Sequence, residues 1–140
     1  MKYEEKLSKL VKLAYKHLGK PYKYGAKSYE APKRFDCSSF VQYLYKRIGI
    51  DLPRTALDQA SKGKPVEPKL ENLKPGDLIF IKGGWGHYDP KFPEGIGHVA
   101  LYIGKGRAIN VRGEAKEVIE EKATDFLERK DFRVVKRILI

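Results

Sequence analysis

The chain has 140 residues, a formal net charge of +11 and a single cysteine. This length predicts one domain over residues 1–140 with one hydrophobic core. A single cysteine excludes an internal disulfide, and no apolar run is long enough to span a membrane. Acidic residues stand where the apolar segment of a signal peptide would lie. We therefore expect no signal peptide, and either a cytoplasmic protein or the catalytic domain of an exported one.

The N-terminal half of the chain has the apolar spacing of helices. Residues 2–18 follow the three-four spacing of an amphipathic helix, and we expect His17 at the surface of its last turn. Asp36 is a favourable N-cap for a second helix over about residues 37–48. A third, short helix is expected to end near Ser61.

The C-terminal half predicts mainly strands, separated by glycine and proline. The predicted strands cover residues 78–81, 98–103, 107–111, about 116–120 and 132–139, with a short helix near 122–129. Because helices come first and hairpin-connected strands follow, we predict an α+β fold. Its N-terminal helices should pack on an antiparallel sheet of five to six strands.

Cys37 is the candidate nucleophile. It stands in the first turn of the second predicted helix, and a helix N-terminus lowers the pKa of a thiol toward the reactive thiolate. The neighbouring carboxylate of Asp36 opposes this ionisation unless capping amides engage its charge. From the residues alone a second interpretation stays open, in which Cys37 is a small apolar residue of the core.

His98 is the favoured base for this thiol. It begins a predicted strand, and alternation points it away from the aliphatic face of that strand. His87 lies in a glycine-rich loop over residues 82–97, which suits substrate contact better than a base that must hold its geometry. Trp85 of the same loop is a further candidate for the wall of a substrate groove.

Asn110 is the candidate partner that orients this imidazole. If a three-residue loop joins the two strands, Ile103 pairs with Arg107 and Ala100 pairs with Asn110. Asn110 then lies diagonal to His98 on the same face, within side-chain reach. The alternative interpretation is a polar residue on a half-exposed strand.

These residues lie in motifs that resemble the NlpC-type cell-wall peptidases, a papain-like cysteine peptidase family. The segments occur in the family's order: Gly-Lys-Pro-Tyr-x-Tyr-Gly at 19–25, Phe-Asp-Cys-Ser-Ser-Phe-Val at 35–41, Leu-Pro-Arg-Thr at 52–55, Gln59 with Gly63, Leu-x-Pro-Gly-Asp-Leu-Ile-Phe at 73–80, Gly-His-Val-Ala-Leu-Tyr-Ile-Gly at 97–104 and Ala-Ile-Asn at 108–110. One such segment is a weak signal, but all of them in order are a strong one.

The resemblance implies a papain-like fold and endopeptidase activity on peptidoglycan stem peptides. Relatives commonly cleave the bond that joins D-γ-glutamate to a diamino acid. By analogy Cys37 is the nucleophile, His98 is the general base and then the general acid, and Asn110 orients the imidazole.

The resemblance also implies substrate-binding residues. Tyr24 matches an aromatic residue near the oxyanion and the substrate, while Asp36 and Ser38 match positions that bind the free amine of the stem peptide. For Asp36 the capping role is equally compatible with the sequence. Arg54, from the Leu-Pro-Arg-Thr segment, is a further substrate-binding candidate.

The chain departs from the family pattern at three positions. Ser39 replaces the usual glycine after Asp-Cys-Ser, and Ala26 replaces the second glycine after the tyrosine. Asn110 stands where histidine is more common. These departures leave the exact substrate preference open.

The expected partner is peptidoglycan or a muropeptide, and a monomer is assumed. No cofactor and no metal are expected, since the sequence has no Cys/His cluster. The basic residues are spread along the chain rather than gathered into an arm, so we expect no specific binding of nucleic acid. Two alternatives remain: an amidase or acyltransferase on the same scaffold, and a non-catalytic binder of acidic polymer.

Overall fold

The computed structural model describes residues 1–84 and 86–139. Its helices are α1 (Tyr3–Lys16), α2 (Cys37–Lys46), α3 (Ala56–Gln59) and α4 (Thr124–Leu127). Its strands are β1 (Lys64–Val66), β2 (Leu78–Ile81), β3 (His98–Gly104), β4 (Arg107–Arg112), β5 (Glu117–Lys122) and β6 (Phe132–Arg137). Single 3₁₀ turns lie at Ser28–Glu30 and Leu70–Asn72.

The six strands form one sheet in the order β1-β6-β2-β3-β4-β5, with every neighbouring pair antiparallel. The predicted α+β fold, with N-terminal helices and an antiparallel sheet, is confirmed. Strand β1 was not predicted, because Gly63 and Pro65 indicated only the end of a helix. A proline is tolerated there because β1 is an edge strand. Within the described part of the chain, no helix is long and apolar enough to cross a bilayer.

Apolar side chains cover both faces of the sheet. Val99 and Leu101 of β3 face the cluster that packs on α1 and α2, while Ala100 and Tyr102 face a smaller cluster around Phe126 of α4. Each large apolar side chain that is fully buried in this way stabilises the fold by about 1.5–3 kcal/mol. The central strands therefore form a fixed platform for side chains at their ends.

Helix α2 begins as the sequence predicts. The Asp36 carboxylate accepts a 2.8 Å hydrogen bond from the Ser39 amide, and the Ser39 hydroxyl accepts one of 2.9 Å from the Asp36 amide. This reciprocal pair satisfies amides that the first turn of a helix leaves without partners. The helix ends two residues earlier than predicted, before Gly49 turns the chain with φ near +86°.

The hairpin between β3 and β4 corrects one predicted pairing. Gly104, not Ile103, lies opposite Arg107, and a bulge follows Tyr102. The turn is made by Lys105 and Gly106, both with positive φ, which is the two-residue turn that suits a hairpin. The bulge stays local, because Leu101 opposite Ile109 keeps the register that sets Ala100 opposite Asn110.

His17 is also placed differently from the prediction. It caps the C-terminus of α1, but it is 4% exposed instead of lying at the surface. Its ring packs edge-on against Phe35 and Tyr43, at centroid distances of 6.0 and 5.4 Å. Neither ring nitrogen has a hydrogen-bond partner among the described residues. Burial, followed by the nearby charges of Lys20, Lys16 and Arg47, lowers the pKa of this imidazole.

This burial makes a prediction about acid stability. A histidine whose pKa is lower in the folded than in the unfolded state makes its full contribution to stability above the unfolded pKa of about 6.5. That contribution is lost as the pH falls from about 6.5 toward the folded pKa. We expect His17→Phe to reduce the fall in the free energy of unfolding between pH 7 and pH 5. The difference should be about 1.4 kcal/mol for each unit by which the pKa is lowered. Urea unfolding at both pH values measures it, and parallel curves for the two proteins would contradict it.

Candidate active site

A groove of about 990 Å³ lies where the N-terminus of α2 meets the start of β3. Its wall includes most of the residues singled out from the sequence: Tyr24, Asp36, Cys37, Ser38, Arg54, His87 and His98. Asn110 lies behind this wall, 1% exposed. Trp85 lies outside the described residues. The structure thus brings together seven of the nine candidates in one groove, with Asn110 directly beneath it.

Cys37 lies in the first turn of α2, partly exposed to the groove. Its thiol donates to the carbonyl oxygen of Gly97 at 3.8 Å. The backbone amide of Val99 also donates toward the sulfur. The sulfur therefore contacts both chain neighbours of His98. Cys37 thus lines the groove, while part of its side chain packs against the hydrophobic core.

The thiol of Cys37 is a weaker acid than its helix position predicts. Burial raises its pKa to about 11, and the Asp36 charge adds to this rise. The amides of Val99 and Ser38 and the more distant charge of Arg54 act in the opposite direction, but they do not prevail. The expectation of a lowered pKa is therefore wrong for the free protein, because the surroundings of the sulfur favour its neutral form. A proton acceptor is needed to activate this thiol near neutral pH.

The carboxylate of Asp36 does more than cap α2. Its Oδ2 accepts a 2.7 Å hydrogen bond from Nη2 of Arg54, and its Oδ1 accepts a 3.3 Å bond from the Ser38 hydroxyl. Arg54 also donates to Ser38 Oγ at 2.8 Å and to the carbonyl oxygen of Ala26. Arg54 therefore joins the start of α2 to two other segments of the groove wall.

The side chain of Gln59 joins the start of α2 to the segment that carries Arg54. It is fully buried, and its side-chain amide donates to the carbonyl oxygens of Ser38 and Pro53 at 3.0 and 2.9 Å. This explains why a polar residue stands at a core position of α3. The contact fixes the segment that carries Arg54 against the helix that carries Cys37.

His98 is held on three sides. Its Nε2 lies 2.9 Å from Oδ1 of Asn110, and its ring stacks on Phe126 with centroids 6.2 Å apart and planes 19° apart. Gly83 approaches its Cβ so closely that a side chain at Gly83 would come within 3.2 Å of it. With Nε2 engaged by Asn110, Nδ1 is the nitrogen left for a proton from the groove.

The surroundings of His98 favour the neutral form of its imidazole. Burial lowers its pKa below the usual 6.5, although the hydrogen bond to Asn110 and the charge of Glu121 act to raise it. A neutral imidazole that lines the same groove as a neutral thiol can accept the thiol proton when the sulfur attacks a carbonyl group. The predicted diagonal placement of Asn110 is confirmed, and its burial excludes the half-exposed alternative.

Two charged residues next to Asn110, Arg112 and Glu121, also line the groove and were not singled out from the sequence. Nδ2 of Asn110 donates to Glu121 Oε2 at 2.8 Å, and Arg112 donates to both carboxylate oxygens of Glu121 at 3.2 and 2.7 Å. The strand predicted near residues 116–120, which corresponds to β5, ended one residue before Glu121. The alternation of β5 would have placed Glu121 on the Asn110 face had the strand been extended to its observed end.

The remaining candidates lie at the rim. Tyr24 is 67% exposed and lines the groove. His87 also lines the groove, and its backbone pairs with that of Ile96 through hydrogen bonds of 2.9 and 2.7 Å. Among the residues that the structure describes, no group of His, Cys, Asp and Glu has the arrangement of a metal site.

A thiol at the first turn of a helix, with an imidazole and a buried amide on adjacent strands of an antiparallel sheet, is the papain-like arrangement of cysteine hydrolases. The chain belongs to the NlpC/P60 family, which it matches over residues 19–136. The family predicted from the sequence motifs is thereby confirmed.

Individual relatives are similar over much of this chain. It is 38% identical to a probable endopeptidase p60 of Listeria innocua over 103 residues, which cover 74% of this chain and 19% of that protein. It is 34% identical to a gamma-DL-glutamyl hydrolase of Bacillus subtilis over 122 residues, which cover 86% of this chain and 27% of that protein. The chain therefore spans a minor part of the length of both relatives.

The fold is similar to that of a solved peptidoglycan hydrolase. The structure of RipB from Mycobacterium tuberculosis matches with a TM-score of 0.75 at 27% sequence identity. The match covers 99% of this chain and 67% of that one. The similarity thus extends over the whole helix-and-sheet arrangement that builds the groove.

The negative charge of Asp36 predicts how the pKa of Cys37 should respond to substitution. We expect Asp36→Asn to lower the pKa of Cys37 by roughly one unit, because it removes a neighbouring negative charge while asparagine still caps the helix. The pH dependence of alkylation by iodoacetamide measures the change. Asp51→Asn, at an exposed position outside the groove, is the matched control for net charge. An unchanged alkylation profile in Asp36→Asn would show that burial alone raises the pKa.

Proposed function

We propose that this protein is a cysteine endopeptidase that hydrolyses peptidoglycan stem peptides at the bond between D-γ-glutamate and a diamino acid. The observation that carries this proposal is the thiol of Cys37 held against both neighbours of His98, whose Nε2 is bound by the buried Asn110. Membership of the NlpC/P60 family supports it. So do the names of two similar proteins, a gamma-DL-glutamyl hydrolase and a peptidoglycan hydrolase.

In the proposed acylation step, Cys37 Sγ attacks the carbonyl carbon of the scissile bond. The thiol proton passes to Nδ1 of His98, and the carbonyl oxygen becomes an oxyanion. Amides at the start of α2 are suited to stabilise this charge, since a helix N-terminus favours an anion. The proton on His98 then passes to the leaving amine, the C–N bond breaks, and a thioester remains on Cys37.

In the proposed deacylation step, water replaces the amine. Nδ1 of His98 takes a proton from the water as its oxygen attacks the thioester carbonyl. The C–S bond breaks, the proton returns to the sulfur, and a carboxylic acid is released. The neutral thiol and the neutral imidazole of the free protein are restored.

For the substrate, we propose that Asp36 and Ser38 receive the free amine of the stem peptide. The Asp36 carboxylate already accepts from Ser39 and Arg54, so an ammonium group would join an ordered polar cluster rather than a free carboxylate. Tyr24 at the rim is suited to cover the peptide. His87 also lines the groove, and Trp85 remains a predicted neighbour in the same loop.

The proposed role of Cys37 as the nucleophile predicts what removal of its thiol should do. We expect Cys37→Ala to reduce hydrolysis of the tripeptide L-Ala-γ-D-Glu-diaminopimelate by at least about 1000-fold, because the acyl-enzyme cannot form. Mass spectrometry of the products over time measures the rate and identifies the cleaved bond. Circular dichroism checks that the variant keeps its fold, and Ser8→Ala on the exposed face of α1 is the control substitution.

Three other substrates sharpen this experiment. A tripeptide with an α-linked glutamate tests the γ-linkage, and an N-acetylated tripeptide tests the amine site at Asp36 and Ser38. Hydroxylamine as acceptor tests for acyl transfer. Full activity in Cys37→Ala would contradict the mechanism. Salt-sensitive binding of polyanions without any cleavage would favour the non-catalytic alternative.

The pKa shifts also predict the pH profile of the reaction. Protonated His98 cannot act as base, and burial lowers its pKa, so kcat/KM should begin to fall only below about pH 6.5. On the alkaline side we expect kcat/KM to decline only near pH 11, where the thiol of Cys37 ionises. Ionisation removes the proton that His98 passes to the leaving amine. Initial rates measured across this range test both limbs. An acid limb centred above pH 7 would contradict the neutral pair.

A further inference from the structure

We propose that Glu121 is a positioning residue that selects the proton arrangement of His98 through the side-chain amide of Asn110. This inference rests on the proposed role of His98 as the base. It adds a residue of β5 and its arginine partner on β4 to the machinery of the site. The donor and acceptor atoms in this chain of contacts determine the direction of each hydrogen bond.

The contacts form an unbroken path across three strands. His98 on β3 meets Oδ1 of Asn110 on β4 at 2.9 Å, and Nδ2 of Asn110 meets Oε2 of Glu121 on β5 at 2.8 Å. Asn110 is 1% exposed, so bulk water does not compete for its amide. The amide therefore has one partner on each side, and the two partners differ in chemistry.

An ionised carboxylate only accepts hydrogen bonds. The side of Asn110 that faces Glu121 must therefore be its amino group, and Oδ1 must face His98. Because Oδ1 is also only an acceptor, Nε2 of His98 must carry the hydrogen. The neutral imidazole is then protonated at Nε2, and Nδ1 has the lone pair that a general base requires.

Arg112 keeps Glu121 in the required ionised state. Both oxygens of the carboxylate accept from this guanidinium, in the forked geometry that favours a charged pair. Burial acts to raise the pKa of Glu121, but the hydrogen bonds from Arg112 and Asn110 outweigh it and hold the pKa below its usual range. A protonated Glu121 could donate to Asn110 and so favour the reversed amide.

Without Glu121 nothing in this path distinguishes the two ends of the Asn110 amide. A rotated amide presents its amino group to Nε2 and favours the form of His98 that is protonated at Nδ1. That form has no lone pair directed to the groove. Glu121 thus acts on the reaction through Asn110, in addition to the effect of its charge on the pKa of His98.

Glu120 provides a matched control on the same strand. It also pairs with an arginine of β4, since Arg107 Nε donates to Glu120 Oε1 at 3.1 Å. Strand alternation directs it away from the Asn110 face. Glu120→Met and Glu121→Met therefore remove the same charge and the same type of ion pair, but only the second removes the partner of Asn110.

The experiment measures kcat and KM for these variants on the tripeptide substrate. We expect Glu121→Met to lower kcat about 10-fold with little change in KM, and Glu120→Met to leave both near the wild-type values. Glu121→Gln can accept from Asn110 through its carbonyl oxygen but can also donate to it through its amino group, so we expect it to recover only part of the loss. Glu121→Ala carries the same expectation as Glu121→Met and replaces it if the methionine variant does not fold.

Repeating the Glu121→Met substitution in an Asn110→Asp protein distinguishes orientation of the Asn110 amide from a general effect on stability. Asn110→Asp has two equivalent oxygens, so it has no amide orientation to lose. In that background we expect Glu121→Met to cause no further loss of kcat, and relief of the repulsion between two carboxylates favours a gain. An equal loss of kcat in both backgrounds would overturn the proposal.

The protonation of His98 can be measured without any substrate. Nitrogen-15 NMR distinguishes the protonated from the unprotonated ring nitrogen, and His98→Gln assigns the signals among the three histidines. We expect the Nε2-protonated form in the wild type and a mixture in Glu121→Met. An unchanged spectrum in Glu121→Met would overturn this proposal even if the peptidase activity holds. Absence of peptidase activity with the expected spectral change would instead refute only the function.

Discussion

The hydrogen bonds of the Asp36 carboxylate hold the site together. The carboxylate caps α2, which fixes the turn that carries Cys37, and it binds Arg54, which fixes two further segments of the groove wall. The same negative charge contributes to the raised pKa of the thiol. One group therefore fixes the position of the proposed nucleophile and, together with burial, favours its neutral thiol form.

The opposite half of the site depends on the sheet. His98, Asn110 and Glu121 lie on three successive strands, and backbone pairing sets their offsets. Because both faces of the sheet are buried, these strands have little freedom to shift. The site thus combines a helix start, fixed by side-chain hydrogen bonds, with a side-chain path fixed by the register of a buried sheet.

The sequence predicted the parts of the structure that local rules determine. The cap at Asp36, the alternation of β3 and the diagonal placement of Asn110 follow from spacing within one or two elements, and all are confirmed. The burial of a side chain, in contrast, depends on residues that are distant in the sequence. His17 is buried by aromatic residues far from it in sequence, and the sulfur of Cys37 is buried by strand β3. Neither effect is visible in the local spacing of residues. Glu121 was missed because the end of a strand is poorly marked in a sequence, and one residue decided the outcome.

The raised pKa of Cys37 also governs how the thiol meets oxidants. Peroxides and disulfides react with the thiolate, and a thiol with a pKa of about 11 is ionised in only about one molecule in ten thousand at pH 7. We therefore expect the free thiol of Cys37 to react slowly with oxidants. The burial that raises the pKa of Cys37 thus also favours the reduced state of this cysteine.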